Sequence, residues 1–83
     1  MKLLYFAWVR QKIGRGDEIL DPPANVRTAG DLAAWLAARG PGYAEALGDL
    51  KRIRVAVNQD HANFSTPVQA QDEVAFFPPV TGG

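Results

Sequence analysis

A single amphipathic helical segment lies between two groups of strand-like segments, and this order leaves few architectures open. Leu32, Trp35 and Leu36 have the i, i+3, i+4 spacing that places apolar side chains on one face of a helix. Thr28 is a favourable N-cap residue, and a Gly-Pro pair follows the segment as a stop signal. We therefore predict that residues 29–39 form the main helix of the fold.

The segments on either side of this helix have the alternation and the apolar content of β-strands. The predicted strands cover residues 2–9, 18–20, 53–57, 62–64 and 72–77. The first two are joined by a glycine-bearing connection over residues 12–17, and residues 43–50 indicate a second, shorter helix. The order of hairpin, helix and further strands predicts an α+β fold of the ubiquitin-like β-grasp type. In that fold, one main helix packs on one face of a mixed sheet.

The composition excludes several classes of function. The chain has 83 residues, which suffices for one domain, and its nine basic and nine acidic side chains cancel. We therefore expect neither nucleic acid nor a membrane as a partner. No apolar run approaches the roughly 20 residues that span a bilayer, and the first residues do not resemble a signal peptide. These features favour a location in the cytoplasm.

The chemistry available to the side chains is also restricted. The chain has no cysteine and one histidine, which excludes a thiol nucleophile and a thiolate metal site. The histidine, His61, belongs to a segment over residues 58–61 that we predict to be a turn. We expect no bound cofactor, no metal and no catalytic side chains of the chain's own.

The C-terminal segment is the most informative part of the sequence for function. We predict a β-grasp domain over residues 1–78 and an extended, flexible tail over residues 79–83. Pro78 and Pro79 restrict the backbone and direct the tail away from the sheet. Gly82 and Gly83 lack a Cβ atom, so the backbone can enter a narrow channel. The Gly83 carboxylate then becomes a candidate reactive group, once an activating enzyme has converted its oxygen into a leaving group.

Alternation in the last strand predicts an exposed apolar surface close to this tail. Val74 and Phe76 point to one side of the strand, while Ala75 and Phe77 point to the other. One main helix cannot cover both faces of the sheet in so short a chain. We therefore expect Phe77 to lie on an uncovered face that binds a partner.

Four collinear segments resemble the family of the molybdopterin synthase small subunit, the MoaD/ThiS-like sulfur carriers. The most specific is the terminal octapeptide over residues 76–83 (FFPPVTGG). Residues 4–10 (LYFAWVR) resemble the first strand of that family, residues 28–32 (TAGDL) its helix start, and residues 57–59 (VNQ) its central turn.

The resemblance implies a cycle of sulfur transfer. An E1-like adenylyltransferase consumes ATP to adenylate Gly83, and sulfur is then transferred to form a terminal thiocarboxylate. The large subunit of molybdopterin synthase accepts the tail in a heterotetramer, and the thiocarboxylate supplies sulfur for the dithiolene of molybdopterin. The residues that the resemblance and the tail together assign to partner binding are Phe6, Arg10, His61, Phe77, Pro78, Pro79, Val80 and Thr81. His61 stands where the family often has an apolar contact residue.

Three other functions remain open at this point. The chain could carry sulfur for another pathway, such as thiamine synthesis or tRNA thiolation. It could be a ubiquitin-like protein modifier that is joined to lysine side chains. It could also be an interaction module whose tail is inert.

Overall fold

The computed structural model describes residues 1–79, in which five strands form one mixed sheet and three α-helices cover one of its faces. The strands are β1 (Lys2–Tyr5), β2 (Asp17–Ile19), β3 (Arg54–Val57), β4 (Asp60–Ala62) and β5 (Glu73–Phe77). The helices are α1 (Ala7–Ile13), α2 (Ala29–Ala37) and α3 (Pro41–Leu47), followed by a 3-10 turn over Leu50–Arg52. The strand order is β2-β1-β5-β3-β4, with β1 and β5 parallel and the other neighbours antiparallel. This is the α+β architecture of the β-grasp type that the sequence predicts.

The first strand is shorter than predicted, because helix α1 begins two residues after β1 ends. Ala7 has φ 53°, in the left-handed region that residues other than glycine rarely adopt, and the chain turns there. Helix α1 buries Val9 and ends at Gly14, whose φ of 93° suits a left-handed C-cap. The prediction of a strand as far as Val9 was therefore wrong. A continuous apolar run does not distinguish a buried strand from a buried helix.

Helix α2 begins at the N-cap predicted from the sequence. The Thr28 hydroxyl oxygen accepts a hydrogen bond from the Asp31 amide at 3.1 Å, and the Asp31 carboxylate accepts one from the Thr28 amide at 3.2 Å. This reciprocal pair is a capping box. The shorter helix predicted over residues 43–50 is α3, which begins earlier because Pro41 occupies its first turn. Helix α3 packs against both α1 and α2, so three helices rather than one main helix form the covering layer.

The hairpin of β3 and β4 places His61 in a strand rather than in the predicted turn. Asn58 and Gln59 both have positive φ, 52° and 69°, as a two-residue hairpin turn of the primed type requires. Asp60 therefore pairs with Val57, and His61 pairs with Ala56. The predicted strand over residues 62–64 begins two residues earlier than expected, because the turn takes only two residues.

The core lies between the sheet and the helices. Leu3 and Tyr5 in β1, and Val74 and Phe76 in β5, are at most 1% exposed and face the helices. Leu32 and Leu36 of α2 and Leu47 of α3 close this core from the other side. The other face of the sheet carries no covering element among residues 1–79.

Candidate functional site

The uncovered face of the sheet carries an apolar centre. Residues that pair directly across neighbouring strands point to the same face, so Leu4, Ala75, Ala56 and His61 form one row across β1, β5, β3 and β4. Phe77 lies two residues beyond Ala75, and Phe6 follows the end of β1 beside it. Phe6 is 49% exposed, which is unusual for a large apolar side chain.

The uncovered face contains a shallow groove of about 460 Å³. The lining residues are Leu4, Phe6, Ala56, Gln59, Glu73, Ala75 and Phe77. Small residues in the central row, Ala56 and Ala75, form the floor, and Phe6 and Phe77 stand at the end where β5 finishes. We call this surface the open-face groove. An exposed apolar surface of this kind marks a binding site for a partner more often than a catalytic centre.

The groove lies at the root of the C-terminal tail. Strand β5 ends at Phe77, and Pro78 and Pro79 follow it as half-buried residues. The Phe6 amide donates a hydrogen bond to the Phe76 carbonyl at 3.2 Å, which holds the end of β1 against the end of β5. The remaining residues assigned to the site, Val80, Thr81, Gly82 and Gly83, lie outside the described residues.

His61 joins this surface through Phe77. The imidazole meets the Phe77 ring edge to face, with 5.8 Å between the ring centroids. His61 pairs with Ala56 and Ala56 pairs with Ala75, so the His61 side chain lies on the same face of the sheet as Phe77. Three of the side chains predicted to bind a partner, Phe6, His61 and Phe77, are thus brought together on one face.

Arg10 is not part of the groove. It lies in α1, exposed to solvent, and lines a separate depression with Ala7, Gln11 and Gly14. Its guanidinium passes over Gly16, where a Cβ atom would come within 3.2 Å of the Arg10 Nε atom. The sequence interpretation had placed Arg10 just after a strand, and the helix moves it away from the apolar face.

The sequence interpretation did not assign Leu4, Ala56, Gln59 or Ala75 to the site. Alternation in β5 is a sufficient signal for Ala75, which points to the same side as Phe77. For Leu4 and Ala56 the necessary information is the order of the strands, which puts β5 between β1 and β3. A single sequence does not contain that order.

A second cluster of polar groups lies on the covered side, around Glu18 of β2. The Glu18 carboxylate accepts hydrogen bonds from the Tyr5 hydroxyl at 2.8 Å and the Tyr43 hydroxyl at 2.7 Å. Its other oxygen lies 3.2 Å from Arg15 and 3.6 Å from Arg39. Burial, followed by the hydrogen bond to Glu18, raises the pKa of Tyr5 far above its ordinary value, and the same causes raise the pKa of Tyr43. The carboxylate is fully occupied by these partners, so the cluster joins β1, β2 and the helices and offers no open position for a substrate.

Residues 1–79 contain no group of three or more His, Asp or Glu side chains that could hold a metal ion. None of the helices there has the length and apolar character required to cross a membrane.

Comparison with known proteins assigns the family. The family model described as the ThiS family matches residues 3–83. The chain belongs to the ThiS family. The "Molybdopterin synthase sulfur carrier subunit" of Escherichia coli (strain K12) is 42% identical over 83 residues, which are 100% of this chain and 99% of that protein. A protein of the same name from Haemophilus influenzae is 36% identical over 100% of this chain and 99% of its own.

Solved structures of similar proteins share the fold of this ThiS-family chain. The crystal structure of SAMP1 from Haloferax volcanii superposes with a TM-score of 0.79 at 30% identity, covering 100% of this chain and 98% of that one. Subunits 1 and 2 of the molybdopterin-converting factor from Helicobacter pylori form a protein–protein complex in another structure. The matching chain there has a TM-score of 0.64 at 23% identity over 99% of this chain and 96% of its own, which shows the fold alone.

Proposed function

We propose that this chain is the sulfur carrier subunit of a molybdopterin synthase and that the Gly83 carboxylate carries the sulfur. Relatives that match over the full length, at up to 42% identity, are named as that subunit. The observation that carries the proposal is the position of the open-face groove. The strand that lines it with Ala75 and Phe77 is the strand that continues into the Gly-Gly tail. A partner that binds the groove is thereby placed to receive the tail.

The proposed chemistry takes place at the terminal carboxylate. A carboxylate oxygen of Gly83 attacks the α-phosphorus of ATP on an E1-like adenylyltransferase, and pyrophosphate leaves. A sulfur nucleophile at the oxidation level of hydrosulfide then displaces AMP and leaves a thiocarboxylate. The thiocarboxylate donates its sulfur to build the dithiolene of molybdopterin in the active site of the large subunit. In this scheme the chain supplies the reactive sulfur, its partners supply the catalytic side chains, and ATP is consumed by the activating enzyme in the cytoplasm.

The proposed docking contacts are Phe6 and Phe77 of the groove and His61 beside Phe77, with Pro78 and Pro79 at the root of the tail. Phe6 and Phe77 have the aromatic character that dominates the energetics of protein interfaces. We keep Arg10 as a contact of the same partner outside the groove, and Val80, Thr81 and Gly82 as the segment that enters its channel. The expected assembly is a heterotetramer with two large subunits at its centre.

Alkylation with iodoacetamide followed by intact mass analysis tests the proposal. The protein is purified from cells that express the adenylating system, and an adduct at Gly83 is expected. Because the chain has no cysteine, such an adduct reports a thiocarboxylate. The control is a variant with one alanine added after Gly83, which should fold normally and show no adduct. An adduct that is equally abundant in the extended variant, or absent from both, contradicts the proposal.

A protein modifier is the second candidate. The similarity to SAMP1 favours it. A crystal structure of small archaeal modifier protein 1 from Haloferax volcanii superposes with a TM-score of 0.77 at 26% identity, over 96% of this chain and 97% of that one. A modifier would appear as a ladder of higher-mass lysine conjugates that disappears in the extended variant. The same purification therefore distinguishes the two functions.

A further inference from the structure

In this neutral chain a basic and an acidic group of residues lie at opposite ends of the sheet, although Lys2 pairs with Glu73 at the acidic end and Asp17 pairs with Leu4. Arg54 pairs directly with Phe77, and Lys51 and Arg52 precede it in the 3-10 turn, so all three lie at the end of the sheet where β5 finishes. At the opposite end, Asp60 follows the hairpin turn, and Asp72 and Glu73 lie where β5 begins. We call Lys51, Arg52 and Arg54 the basic rim. The acid nearest to it along the chain, Asp49, caps the 3-10 turn through the Lys51 amide at 3.1 Å.

Uncharged groups hold the two arginines of the rim in place. The Arg52 guanidinium carbon lies 5.0 Å from the centroid of the Trp8 ring, in the geometry of a cation–π contact. Arg54 donates from Nη1 to the Ile53 carbonyl at 2.9 Å. Among residues 1–79 the ion pairs involve Lys12, Arg15 and Arg39, and none includes a rim residue. Within residues 1–79, the rim is therefore positioned without an ion-pair partner.

Arg39 makes cation–π contacts like those of Arg52, but its charge is also paired with a carboxylate. Its guanidinium lies 5.6 Å from the Trp35 ring and 5.2 Å from the Tyr43 ring, and 3.6 Å from the buried Glu18 carboxylate. Arg52 has the aromatic support but no carboxylate within the described residues. An arginine that is already ordered loses less side-chain entropy on binding, and its planar fork remains free for a carboxylate.

We propose that the basic rim docks against an acidic protein surface, formed by Asp and Glu side chains around the channel of the activating enzyme that admits the tail. This inference rests on the proposed function. An apolar centre bordered by charged residues is the usual anatomy of a protein interface, and charges on its border accelerate the encounter between partners. The rim would thus orient the tail toward the channel before the open-face groove makes contact.

Phosphate groups of the bound nucleotide fit the rim less well than a protein surface does. Four residues separate Pro79 from the terminal carboxylate. A chain held extended in a channel gains about 3.3 Å per residue, so four residues would span about 13 Å beyond Pro79. The phosphates that react with Gly83 are then beyond the reach of Arg54. A nucleic acid is disfavoured, because three charges on a chain of zero net charge give little phosphate neutralisation.

The test measures association of the full chain with its adenylating enzyme by stopped flow, across a range of ionic strength. The double variant Arg52→Gln/Arg54→Gln should lower kon by about 5- to 20-fold at low salt and flatten its salt dependence. The dissociation rate and the KM for ATP should stay within about twofold, because rim charges act mainly on the encounter. Lys2→Gln is the positional control, and the two effects are compared per charge removed. It removes one exposed charge from the same face at the opposite end of the sheet and should change kon by less than about twofold.

Several outcomes would overturn the inference. One is an unchanged kon in the double variant, and another is an equal decrease in Lys2→Gln. A raised KM for ATP in the double variant would assign the rim to phosphate binding instead. The alkylation of Gly83 in the wild-type protein is measured in parallel. Absence of the Gly83 adduct contradicts the proposed function. A normal adduct together with an unchanged kon in the double variant contradicts only the docking role of the rim.

Discussion

The two faces of one sheet differ in how their apolar residues are used. On the covered face, Leu3, Val55 and Phe76 are at most 1% exposed. On the open face, Phe77 is half-buried and Phe6 remains 49% exposed. Burial of apolar area stabilises a protein by about 25 cal/mol per Å², so the covered face supplies most of this term. The apolar residues of the open face contribute less to folding, and partner binding is the function that we propose for them.

Neighbouring phenylalanines of β5 make this comparison measurable. Phe76→Ala should lower the free energy of unfolding by about 3–5 kcal/mol, because it removes a fully buried aromatic ring. That is a large part of the 5–15 kcal/mol typical of a domain, so urea denaturation followed by tryptophan fluorescence will show it clearly. Phe77→Ala is the control and should lower the same quantity by less than about 1 kcal/mol. Equal losses in the two variants would show that the faces do not differ as described.

The covered side also contains the one buried charge of the described residues, Glu18. Glu18→Ala should lower the free energy of unfolding by about 2–4 kcal/mol, because it leaves two tyrosine hydroxyls and two arginines without their shared partner. Denaturation curves at neutral pH provide the measurement. The control is Glu45→Ala, which removes an exposed carboxylate 3.2 Å from Lys12 and should change the stability by less than about 0.5 kcal/mol. A loss at Glu18 as small as at Glu45 would mean that the cluster is not a structural support.

The same cluster predicts a loss of stability in alkaline solution. The pKa of Tyr5 is raised in the folded state by burial and by Glu18, so above pH 10 the unfolded chain releases this proton while the folded protein keeps it. The contribution of protonated Tyr5 to the free energy of unfolding is complete below about pH 10. As the pH rises further, this contribution falls by about 1.4 kcal/mol per pH unit for Tyr5 alone.

Denaturation curves from pH 8 to pH 11.5 would measure this loss. The chain has two tyrosines, Tyr5 and Tyr43, so tyrosinate absorbance in the near ultraviolet reports this cluster alone. The Tyr5→Phe variant should have a lower free energy of unfolding than the wild type at neutral pH. Above pH 10, its free energy of unfolding should decrease less than that of the wild type. A wild-type protein that forms tyrosinate near pH 10 while still folded would contradict the prediction.

The sequence predicted the parts of the fold whose signals are local. The capping box at Thr28 located α2, and alternation located β3 and β5. The prediction failed over residues 7–13. The apolar run over residues 3–9 is compatible with a strand and with a helix, and only Gly14, a typical helix C-cap, pointed to a helix. The prediction also misplaced His61, because the turn requires positive φ at Gln59, a residue type without that preference.

For the candidate site, too, the sequence predicted only what depends on the signal within one strand. The outward position of Phe77 follows from alternation within one strand, and the structure agrees with it. The contributions of Leu4 and Ala56 depend on which strands are neighbours, and Arg10 lies in α1, outside the groove. The face on which a residue lies within one strand was therefore predictable, whereas the residues that meet across strands needed the structure. The predictions for residues 80–83 lie outside the described part of the chain.

The open face itself provides the last comparison, between its two ends. Phe77→Ala should weaken binding of the large subunit by about tenfold, because aromatic residues at the centre of an interface carry much of the binding energy. Its matched control is Ile19→Ala on β2. Ile19 is 81% exposed on the same face, but it pairs with Lys2 at the end opposite the tail. Titration calorimetry with the wild-type and both variant chains should show an unchanged affinity for Ile19→Ala. If both truncations weakened binding equally, the partner would cover the whole face, and the groove at the root of the tail would have no special role.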